Sequence, residues 1–121
     1  MTLIATATGT VLVIEDEPLI RIWLADVIEA GGYEVLTAAT GDEGLELLKK
    51  ERQLAALVTD VDIPGSLNGF ALAWKVKILH PEARLLVVSG QIRPNAGDLP
   101  PDAQFFAKPV QPQTLLRALR D

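Results

Sequence analysis

Short unbroken apolar runs recur along the chain. Between them lie stretches in which apolar residues return every three or four positions. Val11-Leu12-Val13-Ile14, Ala55-Ala56-Leu57-Val58 and Leu85-Leu86-Val87-Val88 are runs of the first kind. Runs of this length suit strands buried on both faces, as in parallel sheets. Tyr33-Glu34-Val35-Leu36 and Gln104-Phe105-Phe106-Ala107 are weaker strand candidates. Pro18 opens a predicted helix with Ile20, Trp23, Leu24, Val27 and Ile28 at helical spacing, ended by Gly31-Gly32. Thr40-Gly41-Asp42-Glu43 reads as a capping box ahead of Leu45, Leu47 and Leu48. A third helix is predicted over residues 70–79, stopped by His80-Pro81. Pro112 opens the last, with Leu115, Leu116 and Leu119 on one face. Such alternation with short links predicts an α/β fold, a parallel sheet covered by helices on both sides. Residues 92–102 break the pattern. Pro94, Gly97, Pro100 and Pro101 favour a turn or a single helical turn there over a helix of ordinary length.

The chain has 121 residues, 49% of them hydrophobic, which suits one domain with one core over residues 1–121. Residues 1–10 precede the first strand as an N-terminal extension without a charged side chain. A net charge of −5 argues against direct nucleic-acid binding, which needs clustered Lys and Arg, and against an anionic membrane surface. The absence of cysteine excludes disulfides, thiol catalysis and thiolate metal sites. The start lacks a basic n-region, and no apolar run approaches the ~20 residues of a membrane span, so a cytoplasmic location is expected.

In open α/β sheets ligands collect beyond the carboxyl ends of the strands. The first strand is followed by Glu15, Asp16 and Glu17, and the third by Asp60 and Asp62. The fourth leads into Ser89-Gly90 and the fifth into Lys108-Pro109. Each feature has an ordinary structural explanation by itself. Acidic residues suit a helix N-terminus, Asp62 suits a turn before Pro64-Gly65, and serines and lysines are common at surfaces. Their conjunction at four separate strand ends carries the functional reading. Clustered carboxylates repel unless a cation joins them. Oxygen donors without His or Cys favour Mg²⁺. A carboxylate in such a site can take a phosphoryl group as an acyl phosphate, with Lys108 and the Ser89 hydroxyl facing the equatorial oxygens. Side-chain chemistry alone leaves Asp60 and Asp62 equal as acceptors. His80, before Pro81 at a helix end, reads as a capping residue, and Trp23 and Trp74 as packing or partner-contact residues.

These segments resemble the receiver domains of two-component response regulators over nearly the whole chain. Val-Leu-Val-Ile-Glu15-Asp16-Glu17-Pro18 resembles the family's opening strand and acidic pair, and Thr59-Asp60-Val61-Asp62-Ile63-Pro64-Gly65 its acceptor loop. Val87-Val88-Ser89-Gly90 and Phe106-Ala107-Lys108-Pro109 resemble its Ser/Thr strand end and Lys-Pro signature. The resemblance implies a flavodoxin-like, doubly wound sheet of five strands in the order 2-1-3-4-5, here with a short or irregular fourth helix. The family places its acceptor four residues before a proline, which selects Asp60. It further implies Mg²⁺ held by Asp16 and Asp60, by Glu15 through water, and by the Asp62 main-chain carbonyl. Lys108 and Ser89 would bind the phosphoryl group, Phe105 would be the aromatic that changes rotamer, and Lys108–Pro109 would be a cis peptide. A sensor histidine kinase or a histidine phosphotransfer protein would be the donor, and the downstream target is left unspecified.

Three departures from the family pattern stand out. The loop after Pro64, Ser66-Leu67-Asn68-Gly69, is about one residue longer than the family's. Asp62 adds a carboxylate two residues after the acceptor, and with Gln91 it is a candidate for tuning the dephosphorylation rate. The proline-rich segment replaces a helix that commonly forms the output face. The expected function is a phosphorylation switch that catalyses only its own phosphorylation and dephosphorylation, with no effector attached. The alternatives are a receiver that is part of a longer response regulator, a Mg²⁺-dependent aspartyl-phosphate phosphatase using the Asp60-Val61-Asp62 spacing, and a receiver-like module that only binds partners.

Overall fold

Five parallel strands and four helices form among the described residues, 9–51 and 53–121 of a computed structural model. In chain order they are β1 (Thr10–Ile14), α1 (Pro18–Ala30), β2 (Glu34–Ala38), α2 (Gly41–Leu48), β3 (Ala56–Asp60), α3 (Gly69–Leu79), β4 (Arg84–Ser89), β5 (Gln104–Ala107) and α4 (Pro112–Arg120). The sheet order is β2-β1-β3-β4-β5, with every neighbouring pair parallel. The expected α/β order is the observed one.

The apolar runs are unbroken because both faces of the sheet are covered. Leu12, Ile14, Leu57, Leu85 and Val87 point to the side of Leu72 and Val76 from α3 and Leu48 from α2. Val11, Val13, Val58, Leu86 and Val88 point to the other side, against Ile28 of α1 and Leu115 and Leu119 of α4. β2 to β4 reach further than their apolar runs. Thr59 and Asp60 stay in the β3 ladder, with Asp60 level with Val88, because backbone pairing is indifferent to side-chain polarity.

Local signals set most boundaries. Thr40 Oγ1 accepts from the Glu43 N–H at 3.1 Å, the first half of the predicted box. Asn68 Oδ1 caps α3 by accepting from Ala71 N–H at 2.9 Å, so that helix begins one residue earlier than predicted. Gly32, at φ +103°, turns the chain out of α1, where the glycine pair predicted a stop. His80 is the C-terminal cap of α3.

Two expectations change. The stripe predicted on α1 is only half buried: Ile28 lies in the core, whereas Ile20 and Trp23 are exposed, as are Leu19 and Ile22. That end of the helix stands at the rim of the sheet. Thr10 belongs to β1, so it is sheet rather than extension, and just before it Gly9 C=O accepts from Glu34 N–H at 3.0 Å; residues 1–8 lie outside the described residues. Residues 92–102 form a chain of turns, one of the two outcomes that their prolines and glycine favoured over a helix of ordinary length. Its prolines cannot donate to a helical ladder. Asp98 instead closes a turn onto Asn95, with Asn95 N–H donating to Asp98 Oδ2 at 2.7 Å and Asp98 N–H to Asn95 C=O at 3.0 Å. From α3, the Trp74 indole N–H donates to Gly97 C=O (3.3 Å) and Asp98 C=O (3.0 Å), and Lys77 reaches Asp102 at 3.3 Å. Leu99 from this strap and Ala103 just after it pack on the α3-side core, so the segment covers the edge that a helix would otherwise cover.

Candidate functional site

All strands run the same way, so all their carboxyl ends meet at one edge. Ile14 is level with Thr59 in the β1–β3 register, which sets Glu15 beside Asp60. Ser89 is level with Ala107 in the β4–β5 register, which brings Lys108 to the same edge. There Lys108 Nζ lies 2.8 Å from Asp60 Oδ2 and 3.5 Å from Glu15 Oε1.

The acidic loop is held from several sides. Glu15 N–H continues the sheet by donating to Ala38 C=O at 3.1 Å. Its carboxylate is 3% exposed and accepts from Glu17 N–H at 3.1 Å. Burial pushes that carboxyl above its ordinary value; the Glu17 N–H and the Lys108 charge act in the opposite direction. The Arg21 guanidinium, one turn into α1, donates to Glu15 C=O at 2.8 Å. On β3, Asp60 Oδ1 accepts from Val61 N–H at 2.9 Å, leaving Oδ2 toward Lys108. Thr59 Oγ1 donates to Asp60 C=O at 2.8 Å. Burial disfavours the Lys108 charge, but the hydrogen bond and charge of Asp60, with Glu15 behind, outweigh it and hold the ammonium above its ordinary value.

Glu15, Asp16 and Asp60 offer carboxylate oxygens within 4.8 Å of one another. The donors are hard oxygens without His or Cys, and Asp16 is exposed. That set fits a hard divalent cation which keeps part of its water shell, as Mg²⁺ does. Beside it, an apolar cavity of about 260 Å³ runs under Asp60 and Lys108, walled by Ile20, Trp23, Leu24, Val110 and Leu115.

The other expected residues lie around this centre. Ser89 is buried, and its Oγ accepts from Ile92 N–H at 2.9 Å and Gln91 N–H at 3.4 Å, so the hydroxyl is engaged by the strap. Gln91 and the Asp62 side chain are exposed. Phe105 is partly buried against the α3-side core, with the Arg93 guanidinium 5.8 Å from its ring centre, within cation–π range. The Lys108–Pro109 bond is cis. Sequence reading missed Arg21 and the clasp between Asp42 and Ser66, whose N–H and Oγ both donate to the Asp42 carboxylate. An arginine six residues after Glu15 on a helix pointing back at that loop was a weak signal for the first. The second joins residues 24 apart in the chain and had no signal.

Comparison with known proteins places these features in a family. The response regulator receiver domain matches residues 11–120. The sensor kinase CckA of Brucella abortus is 30% identical over 120 residues; the match takes in 96% of this chain and 13% of the kinase. The chemotaxis protein CheY of Thermotoga maritima is 31% identical over 119 residues, 90% of this chain and 92% of that protein. Among solved structures, the chemotaxis protein CheY4 of Vibrio cholerae superposes with a TM-score of 0.78 at 28% identity, covering 94% of this chain and 98% of that one. The convergence of an acidic triad that includes the strand-end Asp60 with Lys108 on one sheet edge, together with a match over nearly the whole chain, makes this protein a member of the response regulator receiver domain family, whose function is that of a phosphorylation switch in two-component signalling.

Proposed function

We propose that Asp60 is the phosphoacceptor and that this chain, as a single receiver domain, is switched by phosphorylation there. The observation that carries the reading is the ion pair of Asp60 Oδ2 with Lys108 at 2.8 Å inside a cluster of three carboxylates. A strand-end carboxylate is thereby fixed in orientation, with one oxygen held by Val61 N–H and the other facing a cation. The Asp60 oxygen attacks phosphorus, forming a P–O bond as the P–N bond of a phosphohistidine breaks and the imidazole leaves with its electron pair. Lys108 then transfers its contact to a phosphoryl oxygen. The Ser89 hydroxyl, turned away from Ile92 N–H, donates to another. Glu15, Asp16, Asp60 and the Asp62 main-chain carbonyl are the residues that hold Mg²⁺. When bound, it neutralises the carboxylates and offsets charge on the phosphoryl group.

Phe105 follows Ser89 inward, and Gln91 and the Asp62 side chain, both exposed, set the rate of hydrolysis. The protein turns over no external substrate; its catalysis is confined to its own aspartyl phosphate. Its donor is a histidine kinase or a histidine phosphotransfer protein, and the cytoplasm, where ATP charges such donors, is its location. The cavity beside Asp60 supports docking of an apolar side chain from the donor. The test is incubation with acetyl phosphate and Mg²⁺, read by intact mass. Wild type gains one phosphoryl group and Asp60→Asn gains none. Labelling of the Asn variant at the wild-type rate would refute the acceptor assignment, and steady turnover of a phosphomonoester would point to a phosphatase instead.

A further inference from the structure

The loop after Pro64, about one residue longer than the pattern it resembles, is held at its base and at its far end. Gly69 N–H donates to Val61 C=O at 2.8 Å, closing the loop at its base. No larger residue fits there: a Cβ on Gly69 would run into Asp60 C=O. The far end is tied to α2 at two points. Leu67 packs over Gly41, where a Cβ would meet the Leu67 side chain at 3.3 Å. Asp42 takes both donors of Ser66, Oδ2 from the N–H at 3.1 Å and Oδ1 from the hydroxyl at 2.7 Å. Gly65, at φ +103°, lets the chain come this close, since a Cβ on it would lie 2.7 Å from Asp42 Oδ2. A carboxylate at the start of α2 thus grips the loop at Ser66. Between the base and the clasp lies Asp62.

We infer that Asp42 is a positioning residue for the metal-binding half of the acceptor loop: by clasping Ser66 it holds the Asp62 main-chain carbonyl where the cation needs it. The inference rests on the function proposed above. A ligand carbonyl on a free loop must be ordered each time the metal binds, and one on a clasped loop is already in place. The clasp also confines segment 61–66 next to the acyl phosphate without contributing a group to the reaction.

The test uses Mg²⁺ alone, followed by amide chemical shifts of Val61 and Ser66, together with the Mg²⁺ dependence of acetyl-phosphate labelling. Asp42→Ala weakens Mg²⁺ binding about tenfold, the low end of what loss of an outer-shell partner does. Its labelling rate at saturating Mg²⁺ stays close to wild type, so the defect appears in the half-saturating concentration and not in the maximal rate. Ser66→Ala, which keeps the N–H bond, loses less. Asp42→Asn removes the charge but keeps an acceptor for the N–H and a partner for the hydroxyl, and it rescues binding. Equal Mg²⁺ affinity in wild type and Asp42→Ala would overturn the inference. So would an Asn variant as weak as the Ala variant with Ser66→Ala unchanged, because distant charge would then explain the loss. A wild type that neither binds Mg²⁺ nor accepts a phosphoryl group would overturn the proposed function itself. A wild type that does both, with variants that do not differ, overturns the clasp alone.

Discussion

Replacing Lys108 with Met keeps most of the apolar stem, one atom shorter, but removes the cation that separates Asp60 from Glu15. At 2.8 and 3.5 Å, the two ion pairs have gross attractions of about 6 and 5 kcal/mol at an effective dielectric of about 20. The net value is far smaller, because the Lys108 side chain is 33% exposed and its solvation is recovered when the pair is lost. Exposed pairs are worth about 1 kcal/mol at most, and breaking a buried one costs about 3–5. Glu15 is buried and Asp60 nearly so, which sets this site between those limits at about 2 kcal/mol. With an unfolding entropy of about 2.1 cal/mol/K per residue over 121 residues, that is a fall in Tm of about 8 °C. Thermal melts without divalent ions measure it. Millimolar Mg²⁺ restores part of the loss, since it can take over the neutralising charge. Adding Glu15→Gln to Lys108→Met also recovers part of it, and a double-mutant cycle gives the coupling. The sign with pH is fixed by the raised lysine: its contribution is full below the ordinary value of 10.5 and fades as pH rises through the higher folded value. A Lys108→Met protein that melts with wild type in the absence of Mg²⁺ would refute the view that these carboxylates strain the fold.

Gly69→Ala forces the acceptor loop away from Asp60 C=O, so acetyl-phosphate labelling falls at least tenfold while the far-UV circular dichroism is retained. Trp74→Phe removes the indole donor to Gly97 and Asp98, so the amides of residues 95–99 and 102–103 exchange faster with solvent, with about 1 kcal/mol lost in urea melts and labelling unchanged. Asp42 lies below the ordinary carboxyl value of 3.8 because Ser66 donates to it, so the stability gap between wild type and Asp42→Ala is present above pH 3.8 and closes as pH falls through the lower folded value. Melts across that range check it.

The edge chemistry was legible because it depends on the residues just past each strand, and strands show in short apolar runs. Glu15, Asp16, Asp60 and Lys108 were named from their positions after such runs, and parallel strands bring those positions to one edge whatever the exact register. The choice of Asp60 over Asp62 is not a matter of composition or period. It came from resemblance, and the geometry that agrees with it is the Lys108 contact. Arg21 was only weakly legible as a loop anchor, from its spacing to Glu15, because its partner is a main-chain carbonyl that every residue carries. The proline-rich segment was legible as a break but not as a strap, since the Trp74 bonds that hold it come from another element.

Element order, the two-sided burial of the sheet, the acidic edge and the absence of an ordinary helix between β4 and β5 were all set locally along the chain. They rest on apolar periodicity, proline's missing N–H, and glycine's access to positive φ. Three features were settled only by tertiary packing: which half of the α1 stripe is buried, how Ser89 is engaged by the strap, and that Asp42 grips Ser66 across 24 residues of chain. Those outcomes depend on how separate elements meet in space, and contacts between residues distant in sequence leave no periodic trace in either partner.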